Sequence, residues 1–411
     1  MRVEVKEATP KRVYIYLIGI LLLGLIIRLV WLLLDPHAIT SDEVAYHNLA
    51  TSLAQGNEYG LPFWPPGYPI SLAMLYRLFG ASADVAIGFN LVLSMCTLLV
   101  VFLAAKKIFS IQIAIFATLI MAFMPSYILV ISLVRYEVLL QFCLVLALLL
   151  SLYQWRAGNM LAIALLTAVA SLMRPLMIFW PFMLWLTYPK PESLKSRAKK
   201  MVLVQGLSIC FILPWIIYAS LSAGRFVPVA LNGGINLWIG NNPEATGAYI
   251  APPGEYWNPQ NEDLASQEAL TYMVNNPAKV VSLFPYKIAY SLDREHWVVD
   301  WIFLETETGM STLSYELLVY LSDGYYIVMS GLAILSVLWM WRKKSYGQLL
   351  LLLLVAYSIA GQLPFFGSPR FRWITQFVLI FYAAVSVALI WDQIRLWSIR
   401  RFRTTELIGH E

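Results

Sequence analysis

Long apolar runs dominate the hydrophobic pattern of this chain. A run of roughly 20 apolar residues is the length of an α-helix that crosses a bilayer. The pattern predicts ten membrane-spanning helices, over residues 13–34, 86–105, 112–129, 136–153, 160–173, 176–188, 201–220, 315–340, 348–364 and 373–394. We therefore expect an all-α polytopic membrane protein.

Two apolar stretches leave the position of a turn to be decided. Residues 111–153 are nearly continuous in hydrophobicity, but one helix of that length would measure about 64 Å, twice the hydrocarbon thickness. Pro125 and the polar cluster Arg135–Glu137 mark where that stretch turns back. Residues 159–188 form either one tilted helix or two short helices broken at Arg174–Pro175. The distribution of charge favours two helices.

Composition and charge set the class and the orientation of the chain. Hydrophobic residues make up 60% of it and charged residues only 13%, so lipid must be the solvent for most of its surface. With ten spans and a cytoplasmic N-terminus, most Lys and Arg residues fall in cytoplasmic segments, as the positive-inside rule requires. One helix over 159–188 would instead place the basic run Lys190–Lys200 outside. We expect a plasma-membrane protein with a retained first span and both termini cytoplasmic.

Two of the predicted outer segments are large. Residues 35–85 follow the first span, and residues 221–314 contain many Gly, Pro and Asn residues. The second segment is predicted to contain a short helix at 262–274 and an amphipathic helix at 277–297 that lies along the membrane. We divide the chain into an N-terminal transmembrane module (1–220), an extracytoplasmic loop domain (221–314) and a C-terminal transmembrane module with a basic tail (315–411).

An acidic pair begins a predicted helix in the first outer segment. Thr40 and Glu43 match a capping box, and Asp42 in the first turn suits the helix dipole. The functional interpretation is that Asp42 faces a cavity at the bilayer surface and takes the proton of an attacking hydroxyl. Inverting sugar transfer needs one such base opposite the leaving phosphate. The two interpretations are compatible, because a capped helix end also holds the carboxylate still.

Other ionisable residues lie at the predicted outer ends of spans. Arg135 and Glu137 lie in the turn between the third and fourth spans, Arg28 in the outer half of the first, and Arg174 between the fifth and sixth. An Arg within a span costs about 2.5–3.5 kcal/mol on insertion scales, so each needs a partner, and an acid or a phosphate would serve. The alternative for Arg135 and Glu137 is a snorkelling pair at the interface.

A basic and aromatic segment, Pro369–Trp373, precedes the last span on the outer side. Arg370 and Arg372 in this setting suit a lipid-linked phosphate, and Lys287 in the long outer segment is a further candidate ligand. The alternative is an ordinary interfacial anchor. No glycine-rich phosphate loop occurs in the sequence, and a nucleotide donor would be on the wrong side of the membrane, so a lipid-phosphate donor is favoured.

The remaining candidate features favour plain interpretations. The cysteines all lie inside apolar runs and are predicted to be small packed hydrophobes, without disulfides or a Cys-based metal site. His47 lies four residues after Glu43, a spacing that suits a metal, but without an evident third ligand we interpret it as a polar surface residue. Trp238 and Trp257 either stack on a sugar ring or anchor the long outer segment on lipid headgroups.

The motifs together resemble those of bacterial GT-C membrane glycosyltransferases, the family of the dolichyl-phosphate-mannose protein mannosyltransferases and the lipid A aminoarabinose transferase. They are, in chain order, Thr40-Ser41-Asp42-Glu43 with Tyr46 and Gly56, Pro65-Pro66-Gly67-Tyr68-Pro69, Leu78-Phe79-Gly80, Arg135-Tyr136-Glu137, Arg174-Pro175, and the run from Gly240 to Gly247. Where the family often has Arg-Tyr before the last span, this chain has Arg372-Trp373.

The resemblance implies a polyprenyl-phosphate-sugar donor and inversion at the anomeric carbon. It makes Asp42 the catalytic base, with Glu43 supporting it and Glu137 lining the cavity. We assign the remaining candidates as supporting cavity residues, namely Arg135, Tyr46, His47, Arg174 and Arg28. The adjacent acids differ from the Asp-x-Asp spacing of the oligosaccharyl branch, so no obligatory metal or other cofactor is expected.

The predicted activity is that of a hexosyl- or pentosyltransferase. It would move a single sugar to a cell-envelope glycan, lipid or protein on the outer face of the membrane, with no nucleic-acid partner. A polysaccharide ligase or polymerase using a lipid-diphosphate donor is the alternative. A secondary transporter is a weaker one, since the sequence shows no internal repeat and its polar clusters lie at the outer surface rather than mid-membrane.

Overall fold

The computed structural model describes residues 10–34, 38–153, 155–187, 193–258, 261–304 and 311–408. Within these ranges the chain forms α-helices and short 3-10 turns, without a β-strand. Helices suit a hydrocarbon solvent because they satisfy their backbone hydrogen bonds within one segment. Three basic residues used to predict the orientation, Arg2, Lys6 and Lys190, lie outside the described residues.

Twenty helices follow one another along the described part of the chain. They are α1 (Pro10–Leu34), α2 (Asp42–Ala54), α3 (Gly67–Phe79), α4 (Ala83–Ile108), α5 (Ile111–Phe123), α6 (Pro125–Leu129), α7 (Glu137–Ser151), α8 (Ala157–Met173), α9 (Trp180–Thr187), α10 (Leu194–Ala223), α11 (Gly233–Gly240), α12 (Glu262–Asn275), α13 (Pro277–Ser282), α14 (Phe284–Leu292), α15 (Trp297–Leu304), α16 (Thr312–Arg342), α17 (Tyr346–Leu349), α18 (Leu352–Ala360), α19 (Pro369–Trp373) and α20 (Gln376–Ile408). The 3-10 turns are Val130–Ser132, Pro175–Phe179 and Gly254–Trp257.

Five of these helices, α1, α4, α10, α16 and α20, are each long and apolar enough to cross a bilayer. The pair Ile111–Phe123 and Pro125–Ser132 meets the same requirement but bends by 65°. Shorter apolar helices occupy the other predicted spans, at Glu137–Ser151, Ala157–Met173, Pro175–Leu186 and Gly347–Ala360. The prediction of an all-α, multi-pass membrane fold is therefore confirmed.

The bend between α5 and α6 follows from Pro125, which cannot donate a backbone hydrogen bond. The buried Arg28 fills this break: its Nη1 donates to Ala122 O at 3.1 Å and its Nη2 to Tyr127 O at 3.3 Å. Its Nε donates to the Ser94 hydroxyl at 2.8 Å, which joins α1 to α4. Backbone carbonyls and a hydroxyl are thus the partners of Arg28, in place of an acid or a phosphate.

The Pro-Pro-Gly-Tyr-Pro motif packs the start of α3 against the end of α8. A Cβ on Gly67 would lie 2.7 Å from Met173 Cγ and 3.0 Å from the Leu172 carbonyl carbon, so a larger residue would force this contact to shift. The neighbouring Tyr68 is fully buried and donates to Asn90 Oδ1 at 3.4 Å. Asn90 Nδ2 in turn donates to Leu133 O at 2.8 Å. The motif thereby helps to fix the segment that leads into α7.

The two long segments predicted to be outer, 35–85 and 221–314, contribute to one shared apolar core in the described part of the chain. Its buried members are Tyr59, Phe63, Trp215, Ala219, Val227, Leu231, Ile235, Ile239, Tyr256, Ala265 and Phe366. Backbone bonds pin the segments together, with Leu231 N donating to Pro62 O at 2.8 Å and Asn232 N to Phe63 O at 3.2 Å. The division into three domains stays a prediction.

The second outer segment contains the short helix predicted at 262–274, as α12. The single amphipathic helix predicted over 277–297 is wrong, because the chain forms α13 and α14 and then leaves the helical path at Asp293. Pro285 stands in the first turn of α14, where its missing N–H costs no helical bond. The hydrophobic periodicity on which the prediction rested does not show that this proline begins a new helix.

Lys287 and Asn241 tie this outer segment to the loop before α19. The Lys287 Nζ donates to Leu363 O at 2.9 Å and to Asn241 Oδ1 at 3.3 Å. Asn241 Nδ2 donates to Pro364 O at 2.6 Å. Gly240 passes so close to Phe365 O that a Cβ would lie 2.0 Å from it. These contacts fix the loop that leads directly into α19.

Candidate active site

Four charged side chains from three distant parts of the chain meet at one place. Asp42 is the first residue of α2, Glu137 the first of α7, Arg135 lies just before α7, and Arg370 lies on α19. Arg135 Nη1 donates to Asp42 Oδ2 at 3.1 Å, and Arg370 Nη1 lies 3.7 Å from the same oxygen. Arg370 Nε lies 2.5 Å from Glu137 Oε1. These four residues, the ion cluster, alternate acid and base.

The members of the ion cluster differ in how far their side chains are buried. The Glu137 side chain is 1% exposed and that of Asp42 is 19% exposed. The Arg135 side chain is 3% exposed and the Arg370 side chain is 16% exposed. Burial acts to lower the pKa of Arg370, but Glu137, Tyr136 and Asp42 outweigh it and raise that pKa above its ordinary value. Asp42 and Arg370 are therefore the accessible members of the cluster.

One aromatic side chain holds both guanidiniums. The ring of Trp301, on α15, lies 3.5 Å from Arg135 Cζ and 4.2 Å from Arg370 Cζ. Such cation–π contacts orient a guanidinium as well as stabilise it. Sequence reasoning missed Trp301. The available signal was the pair of tryptophans four residues apart, Trp297 and Trp301, which fall on one face of a helix.

Tyr46 lies one helical turn after Asp42 and is buried. Its ring makes edge contacts with Trp64, Tyr68 and Tyr136, with centroids 5.7, 5.8 and 6.1 Å away. Burial, and then the charge of Asp42, raise the pKa of Tyr46 well above its ordinary value. Tyr46 is thus a neutral phenol that packs beside the cluster.

Glu43 faces away from the ion cluster, although it follows Asp42. Its Oε1 accepts a hydrogen bond from Val134 N at 2.6 Å, and its Oε2 accepts one from Thr40 N at 3.4 Å. Of the predicted capping box only this bond from Thr40 N to Glu43 forms, because Ser41 occupies the cap position, with φ 51°, and no side-chain cap bond forms. Glu43 instead ties α2 to the segment that carries Arg135.

Arg372 is turned away from Arg370. Its Nη2 lies 2.7 Å from Glu295 Oε2, and its Nε donates to Ser291 O at 2.8 Å. Burial raises the pKa of Glu295, while Arg372 acts to lower it. Glu295 is a partner that sequence reasoning missed. A donor-phosphate role for Arg372 stays a prediction, which this buried ion pair does not favour.

The other candidates lie around the cluster rather than in it. His47 Nδ1 is 2.9 Å from the Tyr76 hydroxyl, and burial lowers the pKa of His47. The Arg174 guanidinium lies 4.1 Å from the centre of the Phe371 ring. Lys287 is buried and bonded as described above. Across the described ranges, no three His, Cys, Asp or Glu side chains are grouped so as to hold a metal.

Known proteins share part of this sequence and the overall fold. Residues 64–218 match the family described as dolichyl-phosphate-mannose-protein mannosyltransferase. The Archaeoglobus fulgidus oligosaccharyltransferase AglB, with an inhibitory peptide and a dolichol-phosphate, aligns with TM-score 0.56 and 13% identity over 94% of this chain and 52% of that chain. Its apo form aligns with TM-score 0.59 and 12% identity over 95% and 52%. ArnT from Cupriavidus metallidurans, bound to undecaprenyl phosphate, aligns with TM-score 0.44 and 14% identity over 93% of this chain and 77% of ArnT.

No curated protein sequence matches the chain. The chain spans about half the length of the oligosaccharyltransferases with which it aligns. The matched family segment includes Arg135 and Glu137 but begins after Asp42. The family match and the shared fold together confirm that this membrane protein resembles the GT-C glycosyltransferases, as its motifs predict.

Proposed function

We propose that this protein is an inverting glycosyltransferase that moves a single sugar from a polyprenyl-phosphate-sugar to an acceptor hydroxyl. The observation that carries the proposal is the ion cluster. It sets an accessible carboxylate, Asp42, beside an accessible guanidinium, Arg370, at 3.7 Å. A base for the acceptor and a cation for the leaving phosphate are the two groups that such a transfer requires.

In the proposed reaction, Asp42 takes the proton of the acceptor hydroxyl. Within the described residues its two ion pairs both use Oδ2, which leaves Oδ1 to receive that proton. The acceptor oxygen attacks the anomeric carbon from the side opposite the phosphate, and the bond from that carbon to the phosphate oxygen breaks. The bonding electron pair leaves with the polyprenyl phosphate, so the configuration at the anomeric carbon inverts.

Arg370 is the proposed ligand of the leaving phosphate. It is more exposed than Arg135, and a guanidinium can bind phosphate with two parallel hydrogen bonds. Arg135 remains with Asp42, and Glu137 holds the Nε edge of Arg370. Because these groups are fixed before the reaction, the charge that develops on the phosphate needs little reorganisation.

A lipid donor agrees with the relatives of the fold. The archaeal oligosaccharyltransferase structure holds a dolichol-phosphate, and we assign a polyprenyl phosphate of the same chemistry to this chain. The donor sugar, the acceptor and the outer-face location are parts of the proposal. The location is supported by the positive-inside rule, which puts the segments of Asp42, Arg135 and Arg370 on the side that lacks basic runs.

A donor panel tests the proposal. The purified full chain in liposomes is incubated with radiolabelled polyprenyl-monophosphate hexoses and pentoses, with polyprenyl-diphosphate sugars, and with cell-envelope acceptor. We expect one monophosphate donor to be consumed and the product to have the opposite anomeric configuration. Consumption of a diphosphate donor alone would establish the ligase alternative. Consumption of none would refute the proposal.

A further inference from the structure

An exposed tryptophan stands at the end of a row of aromatic rings that begins at the ion cluster. The Arg370 guanidinium lies 5.4 Å from the Tyr136 ring, and Tyr136 contacts Tyr46. Tyr46 contacts Trp64, whose ring is nearly parallel to that of Trp257, with an interplanar angle of 19° and centroids 6.4 Å apart. Trp257 is 40% exposed. The row joins the proposed reaction centre to the surface of the outer segments.

Both tryptophans at the outer end of the row are held in place. The Tyr59 hydroxyl donates to Trp64 O at 2.9 Å, and the backbone bonds from Leu231 and Asn232 fix the residues just before Trp64. Tyr256, next to Trp257, donates from its hydroxyl to Glu268 Oε2 at 2.6 Å. An indole that stays exposed on a backbone held this firmly is already arranged for a ligand, since little conformational entropy is left to lose on binding.

The charge around Trp257 indicates the chemistry of that ligand. Residues 249–262 include Glu255, Asn258 and Glu262 but no Lys or Arg. A segment that anchors on anionic lipid headgroups would carry basic residues. A sugar ring presents an apolar face of C–H groups to an indole, while its hydroxyls hydrogen-bond to carboxylate and amide groups. The segment therefore suits a neutral sugar better than a lipid surface.

We propose that Trp257 and Trp64 form an acceptor subsite that binds a sugar ring, so that the acceptor is a glycan. The assignment of the bound sugar as the acceptor rests on the proposed function. The binding of a sugar ring by Trp257 does not depend on it. The polyprenyl donor enters through lipid to Arg370, whereas the aromatic row leads away from Asp42 into the outer segments. A glycan held at Trp257 and Trp64 would lie one aromatic contact, through the buried Tyr46, from the helical turn that carries Asp42.

Equilibrium binding tests the subsite without the transfer reaction. The full chain in nanodiscs is titrated with neutral oligosaccharides released from the cell envelope, and binding is followed by saturation-transfer NMR. Trp257→Ala is expected to weaken binding about tenfold, and Trp257→Phe to retain most of it. Tyr290→Ala is the matched control, because Tyr290 is an outer aromatic that is 39% exposed, and it should bind as the wild type does.

In the transfer assay, Trp257→Ala should raise the KM for the glycan acceptor and leave the KM for the donor unchanged. Wild-type binding by Trp257→Ala, or no binding of any released oligosaccharide by the wild type, overturns the subsite. If no polyprenyl-phosphate sugar is consumed while oligosaccharide binding depends on Trp257, the proposed function fails and the sugar site stands.

Discussion

Asp42 and Glu43 are adjacent in sequence, yet they contact different parts of the fold. Asp42 reaches Arg135 and Arg370, while Glu43 binds the backbone of Val134. On a helix, consecutive residues point about 100° apart, so one of them meets the cluster and the other meets the neighbouring loop. A sequence motif marks both acids together, but only the three-dimensional packing assigns a separate contact to each.

At the same scale, Trp301 should govern the geometry of both guanidiniums. Trp301→Ala removes two cation–π contacts, each worth about 0.5–2 kcal/mol, so we expect kcat of sugar transfer to fall by about tenfold. Trp301→Phe keeps a ring and should retain most of the activity. Transfer rates at saturating donor and acceptor measure this. An unchanged rate for Trp301→Ala would mean that the arginines are positioned without it.

At the scale of elements, the position of α19 determines where the Arg370 side chain lies. It is held on one side by the Lys287–Leu363 contact and on the other by the Arg372–Glu295 ion pair. Neither role was predicted, since a sequence pattern shows a charge but does not show its partner. The helices themselves were predictable from hydrophobicity, and the bend at Pro125 from the chemistry of proline.

The buried ion pair gives a stability prediction. Arg372→Met leaves Glu295 as an uncompensated buried charge, which costs about 3–5 kcal/mol, and should lower the Tm of the detergent-solubilised protein. The double variant Arg372→Met with Glu295→Leu should recover most of that loss, because neither charge remains. Thermal unfolding of wild type, single and double variants measures both effects. A double variant as unstable as the single one would contradict the pairing.

Lys287 gives a prediction for the pH dependence of stability. Burial lowers the pKa of Lys287 from 10.5 to about 8 in the folded protein. Between these values the unfolded chain binds more protons, so this residue makes stability rise as pH increases from about 8 to 10.5 and adds no slope below pH 8. We expect the Tm of the wild type, relative to that of Lys287→Met, to increase from pH 8 to pH 10.5. A constant Tm difference would contradict the shift.

At the scale of the whole molecule, the ion cluster exists because three segments separated in sequence converge, around Asp42, Arg135–Glu137 and Arg370. Local patterns predicted Asp42, Arg135, Glu137 and Arg370 as candidates, and the resemblance supplied the roles of Asp42 and Glu137. Their convergence depends on helix packing and on tight glycine contacts such as Gly67 against α8. Trp301 was not predicted as part of the site, because its contact with both arginines arises only from the packing of α15 in the folded chain.

The orientation in the membrane is also a property of the whole chain. In a background without native cysteines, Glu255→Cys should react with an impermeant maleimide on intact cells. Lys343→Cys, in the basic segment after α16, should react only after permeabilisation. This follows from the positive-inside rule. Labelling of Lys343→Cys on intact cells would reverse the proposed topology and move the ion cluster to the cytoplasmic face.

The central claim is that Asp42 is the base of the transfer reaction, and kcat for Asp42→Asn tests it most directly. Loss of a general base should lower kcat by about 10²–10⁴-fold, with Asp42→Glu retaining part of the activity. Asp84→Asn alters another acid in the first turn of a helix, α4, and should transfer sugar at the wild-type rate. If Asp42→Asn, with the donor that the panel identifies, keeps the wild-type kcat, Asp42 is not the base and the account is wrong.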